Sequence, residues 1–193
     1  MFPIMRAATG DPEISQIIIC AGMHLLEKFG ATWKQLERDK LKIDAFVDFM
    51  SGTDGELELA IDLGKGVQEF ARVLAEFSPD IIFVSGDRVE NLALYTAATV
   101  LNIPVAHHCG GDLTEGAIDN QVRHGMTKLS HLHFAMMEEH ARRIIQMGEE
   151  PWRVQVTGDA AIDLFSEIEL LDKNGVIKLF KINADNGFIV CVY

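Results

Sequence analysis

The 193 residues, 48% hydrophobic and 24% charged, suffice for one domain with a real core and the start of another. A net charge of −12 excludes a general nucleic-acid binder, which needs a basic face, but allows an anionic small ligand held by local arginines and helix N-termini. No apolar run reaches spanning length and no secretory signal opens the chain, so the sequence reads as a cytoplasmic protein without a membrane segment.

In chain order, a helix-like segment comes first, then "QIIICAG" (Gln16–Gly22), a β-branched run ended by glycine. "AFVDFM" (Ala45–Met50) is a weaker strand. A helical stretch over Asp54–Phe77 places Leu57, Ile61, Val67 and Leu74 on an inner stripe, which Gly64 and Gly66 weaken. "DIIFVSGD" (Asp80–Asp87) is a strand, Arg88–Leu101 a helix, and "IPVAHHCGG" (Ile103–Gly111) a strand. Ile118, Val122, Met126 and Leu129 have helical spacing. "HLHFAMM" (His131–Met137) and "VQVTGD" (Val154–Asp159) are strands, with helices at Glu138–Met147 and Ala160–Leu171. Continuous apolar strands alternating with helices predict an α/β fold with a doubly wound parallel sheet, Rossmann-like. The chain opens on a helix and closes on the strand-like "NGFIVCVY", which points to a piece of something larger. The three cysteines, Cys20, Cys109 and Cys191, form no CxxC pair and read as buried, reduced thiols.

In open parallel sheets, ligands bind outside the carboxyl ends of the strands. At that edge the sequence places His24 after the first strand, Asp87 and Arg88 after "FVSG", Cys109 and Asp112 after "VAHH", and Asp159 after "VQVTG". Four separate segments thus deliver polar groups to one rim. Asp119 and Arg123, four apart on a helix, share a face. Arg123 can anchor an anionic group or pair with Asp119. Glycines 110, 111 and 116 fit either a plain turn or close approach of a ligand. Of the histidines, His107 stands nearest the rim as a ligand contact, whereas His131 and His133 fit the start of a buried strand. An HxH without partners at fixed spacing is a poor zinc signature, so no metal or cofactor is expected.

The blocks "SGDR", "CGGDLTEGAID" and "RHGMTKLSHLHF" occur together and in order, and with them the chain from about Phe2 onward resembles the UDP-N-acetylglucosamine 2-epimerases, most closely the hydrolysing branch. The resemblance implies one half of a type-B glycosyltransferase-like fold, two Rossmann-like domains with the active site between them. On that basis residues 1–165 form the N-terminal domain without its first strand, and 166–193 an interdomain segment plus the first strand of a second domain. The implied partner is UDP-N-acetylglucosamine, and a homo-oligomer stays open. In the implied reaction a base removes the C2 proton, UDP leaves from C1, and the 2-acetamidoglucal is hydrated on its other face to N-acetylmannosamine.

Carried over by motif, the catalytic acids fall on Asp87 and Asp119. Substrate contacts fall on His24, Arg88, His107, Asp112 and Arg123. Cys109 occupies a proton-transfer position where relatives carry Glu or His, and a thiol of ordinary pKa about 8.5, mostly protonated at neutral pH, is a poor substitute as the base unless its pKa is perturbed. Asp112 replaces the commoner Glu of its block. An isolated half should be inactive, because it cannot close over substrate and exclude water. The alternative is a non-catalytic module that binds a sugar nucleotide or a partner chain.

Overall fold

The computed structural model describes residues 1–114, 118–167 and 169–182. The strand-like run Asn186–Tyr193 and the glycine at 116 lie outside them. The elements are α1 (Phe2–Gly10), β1 (Ile19–Ala21), α2 (Trp33–Arg38), β2 (Ala45–Val47), α3 (Glu56–Phe77), β3 (Ile82–Ser85), α4 (Asn91–Val100), β4 (Val105–His108), α5 (Asp119–Lys128), β5 (Leu132–Ala135), α6 (Glu138–Gln146), β6 (Val154–Val156), α7 (Leu164–Glu167) and α8 (Lys173–Phe180). Every strand pairing is parallel, as the continuous apolar runs require. β3, β4, β5 and β6 form one sheet in that order, and β1 pairs with β2 in a second.

The main core spans both sheets: Val47, Phe49, Phe70, Leu74, Val84, Val105 and Met126 belong to one cluster, with Ile19 and Ala21 packed against it. α3, α4 and α5 supply its helical side. α6 closes a separate cluster around Ala135, Ala141 and Ile144, and α1 and α2 contribute to a third around Cys20 and Leu36. Helices therefore bury apolar surface against several faces of the strands, which leaves the strand ends as the place for polar chemistry.

α3 departs from the sequence reading in phase. Leu57 and Ile61 are 67% and 51% exposed, while the buried stripe runs through Gly66, Phe70 and Leu74 with Val67 beside it. Gly66 belongs to the inner face: a Cβ there would stand 2.9 Å from both the Ala93 Cβ and Phe49 Cδ2, so the glycine sets how closely α3 crosses α4. Gly64 faces open space. Gly64→Ala should therefore stabilise by about 0.5–1 kcal/mol through helix propensity. Gly66→Ala should destabilise by about 1–3 kcal/mol through overpacking. Paired urea melts check both signs.

Three further differences are local. On α5, Val122 and Met126 are buried as spaced, but Ile118 is exposed. The helix expected over Ala160–Leu171 forms only at Leu164–Glu167 among the described residues, and α2 and α8 were not anticipated. Asp62, one of the few buried carboxylates, ties α3 to the loop after β2 by accepting from the Ser51 N–H at 2.7 Å and its hydroxyl at 2.8 Å. Burial alone would raise its pKa; the two Ser51 donors and Lys65 outweigh that and hold it below the usual carboxylate range.

Candidate functional site at the strand ends

The turns after β3, β4 and β6 meet at one edge. β3 ends at Ser85 and turns through Gly86, at φ 88°, into Asp87 and Arg88. β4 ends at His108 and passes through Cys109, itself left-handed at φ 68°, into Gly110, Gly111 and Asp112. The Cys109 N–H is anchored across the sheet on the Phe134 carbonyl at 3.1 Å. The Gly86 N–H donates to the His108 carbonyl at 3.1 Å, so the two turns are locked together.

Arg123 links them to α5. Its guanidinium is buried and pairs with Asp87, and the same nitrogen donates to Thr114 Oγ1 at 3.0 Å. The ion pair among the described residues is thus with Asp87 across the rim, not with Asp119 along the helix. Asp119 opens α5 one turn before Arg123 and on its face. Helical spacing thus sets Asp119 on the side of α5 that carries Arg123, whose guanidinium reaches Asp87 across the rim. A second nitrogen, Arg123 Nη1, is buried without a hydrogen-bond partner among the described residues.

Cys109 sits half-buried in the same corner. Burial pushes its thiol pKa up. The Ser85 hydroxyl lowers it, Asp159 and Asp87 raise it further, and the N-terminal ammonium lowers it. Asp87 and Asp159, which leave different strands, thus both act on this sulfur. The arrangement gathers two carboxylates, a thiol and a buried arginine, a set suited to moving protons beside an anionic group.

The other expected contacts are placed differently. His107 is a correction: it is fully enclosed, with Nε2–H donated to the Gly86 carbonyl at 3.1 Å and its ring edge-on to Tyr95 at 5.8 Å. Side chains alternate along a strand, and this one points into the core rather than to the rim. His107 holds the turn that carries Asp87 instead of meeting a ligand. Its neighbour His108, which the sequence reading left unassigned, stands beside Ser85 and Cys109. Asp112 turns to α6, 3.4 Å from His140 Nε2, and accepts from the Leu113 N–H at 2.7 Å. Arg88 is on the exposed rim but pairs with the buried Glu90 at 3.1 Å. His24 is exposed after β1, with Nδ1 2.6 Å from Thr32 Oγ1. His131 and His133 are engaged within the fold: His131 Nδ1 accepts from the Val105 N–H at 3.2 Å, and His133 meets Glu149 at 3.2 Å.

With this geometry in hand, comparison with known proteins decides the family. The family model for UDP-N-acetylglucosamine 2-epimerase matches residues 6–193. The chain belongs to the UDP-N-acetylglucosamine 2-epimerase family. Within that family it is similar to the GDP/UDP-N,N'-diacetylbacillosamine 2-epimerase (hydrolyzing) of Campylobacter jejuni, at 32% identity over 95% of this chain and 47% of the relative. It is also similar to the UDP-N-acetylglucosamine 2-epimerase of Neisseria meningitidis, at 28% identity over 95% of this chain and 48% of that one. Among solved structures, S. aureus MnaA in complex with UDP superposes with a TM-score of 0.76 at 21% identity, covering 93% of this chain and 47% of that one. The Neisseria meningitidis enzyme bound to UDP-GlcNAc superposes at 0.73 with 21% identity and the same coverage of both chains. The fold is accordingly α/β with parallel sheets, matching one half of a type-B glycosyltransferase-like epimerase. The chain spans about half the length of the curated relatives it matches.

Proposed function

We propose that residues 1–193 supply the N-terminal half of the active site of a hydrolysing UDP-N-acetylglucosamine 2-epimerase. Residues 1–165 act as its first domain and 166–193 lead toward a second. The observation that supports this most is the buried Arg123–Asp87 pair at the strand ends, with Cys109 close enough to feel the charge of Asp87.

In this reading a carboxylate takes the proton from C2 of the sugar. The C–H electron pair forms the C1–C2 double bond, and the C1–O bond breaks as UDP leaves with its pair. Water then adds across the double bond of the 2-acetamidoglucal from the other face, which inverts C2 and frees N-acetylmannosamine. Asp87 and Asp119 are the carboxylates for taking the C2 proton, and Arg123 fixes Asp87. Alone, these residues form one wall of a cleft, so the isolated chain should release no UDP.

The test exchanges residues 6–193 for the matching half of the Campylobacter jejuni relative and incubates the hybrid in D₂O. UDP-N-acetylglucosamine is assayed beside the diacetylated sugar that the relative's name records. The expected result is UDP release with one deuterium at C2 of the product, lost about 10²–10⁴-fold in Asp87→Asn and Asp119→Asn. A cooperatively folded hybrid that releases no UDP, or a product without deuterium, sinks the proposal. The protonated thiol of Cys109 favours one other reading, a non-catalytic sugar-nucleotide binder; calorimetric binding without turnover would select it.

A further inference from the structure

Behind Cys109 lies a chain of polar groups that the reading above does not use. Ser85 Oγ stands 2.9 Å from His108 Nδ1 and 3.8 Å from Cys109 Sγ, the latter within reach for a thiol donor. His108 Nε2 is 3.3 Å from the Gly158 carbonyl, which can only accept. That carbonyl fixes the ring with its proton on Nε2 and leaves Nδ1 as an acceptor. Ser85 O–H then donates to Nδ1, and its oxygen is left to receive the S–H of Cys109. The sulfur is 3.0 Å from Nδ1 and 3.8 Å from Nε2, so it lies over the ring more than along its edge, and the hydroxyl is the better-aligned link. One proton arrangement satisfies all four groups, joining β3, β4 and the turn after β6. His108 is buried, and Phe83 stacks on its ring at 6.1 Å.

We propose that Cys109 is a proton donor of this site, and that Ser85 and His108 are positioning residues behind it. His108 holds the Ser85 hydroxyl in place until the thiol gives up its proton. The proposal rests on the epimerase reading and assigns Cys109 to the hydration half of the reaction. The S–H bond breaks and its proton goes to C2 of the 2-acetamidoglucal, whose double-bond pair forms the new C–H bond. Water captures C1, and the surplus proton of that water returns to the thiolate. In the interval the Ser85 O–H turns from Nδ1 to the thiolate. Nothing else is consumed. The charged groups that act on the sulfur suit a donor: Asp87 and Asp159 oppose a thiolate at rest, and only the N-terminal ammonium favours one.

The test reads the thiol and the imidazole, not turnover, so its failure is distinct from failure of the epimerase assay. On the full chain, ¹⁵N NMR should show His108 with its proton on Nε2 and a bare Nδ1. The pH profile of Cys109 alkylation by iodoacetamide, followed by mass spectrometry of its peptide, should have a midpoint above the ordinary thiol value. Ser85→Ala should move that midpoint up by about one pH unit, because the thiolate loses its hydroxyl donor. Ser85→Thr should restore it. The buried Cys20 reports folding in the same sample, since it reacts only if the variant opens. A proton on Nδ1 of His108, or a Ser85→Ala profile that overlays the wild type with Cys20 still protected, overturns the proposal. If Ser85→Ala unfolds, the tautomer of the wild-type chain decides alone.

Discussion

Gly111→Ala is expected to destabilise the protein by about 2–5 kcal/mol and to open the rim of the site. Two costs add. Gly111 has φ 79°, a left-handed conformation that an L side chain adopts at a cost of about 1–2 kcal/mol. A Cβ there would also lie 2.4 Å from the His140 carbonyl oxygen and 2.9 Å from Ile144 Cγ1. The oxygen is backbone and cannot rotate away, so relief means moving α6 off the sheet, a steric cost of about 1–3 kcal/mol. The displacement would disturb the bond that Arg143 donates to the Gly111 carbonyl and the contact between Asp112 and His140. Urea unfolding is the measurement, with the exposed-side Gly64→Ala as a helical control of opposite sign. A Gly111→Ala midpoint close to wild type would mean that the β4 turn and α6 are not packed as described.

The strands were legible because most are short, largely apolar runs, and those of β1, β3 and β4 run into glycine within two residues of their ends. What the sequence could not give was phase. In α3 both glycines read as helix weakeners, and the stripe was set through Leu57 and Ile61; only the crossing with α4 shows that Gly66 is an inner residue. α2 was missed because six residues with one buried leucine carry almost no periodic signal. The same limit governed His107 and His108. Adjacent residues on a strand face opposite ways, so at most one follows the sheet's core side, and nothing in "AHHC" says which. The structure gives His107 to Tyr95 and His108 to Ser85 and Cys109. Arg123 was ambiguous for a related reason: helical spacing offered it Asp119, whereas its partner Asp87 lies 36 positions back along the chain and becomes a neighbour only through the parallel sheet.

The placement of His107 has its own consequence, a loss of stability in mild acid. Burial, first of all, pushes its pKa down to about 4; the Gly86 carbonyl resists, while His133, His108 and Arg123 add to the depression. Protonation would put a hydrogen on Nδ1, which has no partner among the described residues and faces Gly110. His133 moves in the same direction, chiefly through burial and against the pull of Glu149. Unfolded, each imidazole takes up its proton near pH 6.5. Below that pH the unfolded chain binds protons that the fold refuses, so stability is complete above about 6.5 and falls as pH drops toward 4. For His107 alone the loss over that window is about 3 kcal/mol. The carboxylates held below their usual range, Asp62 and Glu149, add their loss at still lower pH, so the histidines act first. Urea midpoints measured from pH 7.5 to 4.5 should therefore hold level down to about pH 6.5 and fall below it. His107→Gln keeps an N–H for the Gly86 carbonyl but cannot titrate, so it should start lower at neutral pH and lose less on acidification. A wild-type profile flat to pH 5, or a His107→Gln slope equal to that of wild type, would show that this histidine is not the enclosed neutral group that holds the Asp87 turn.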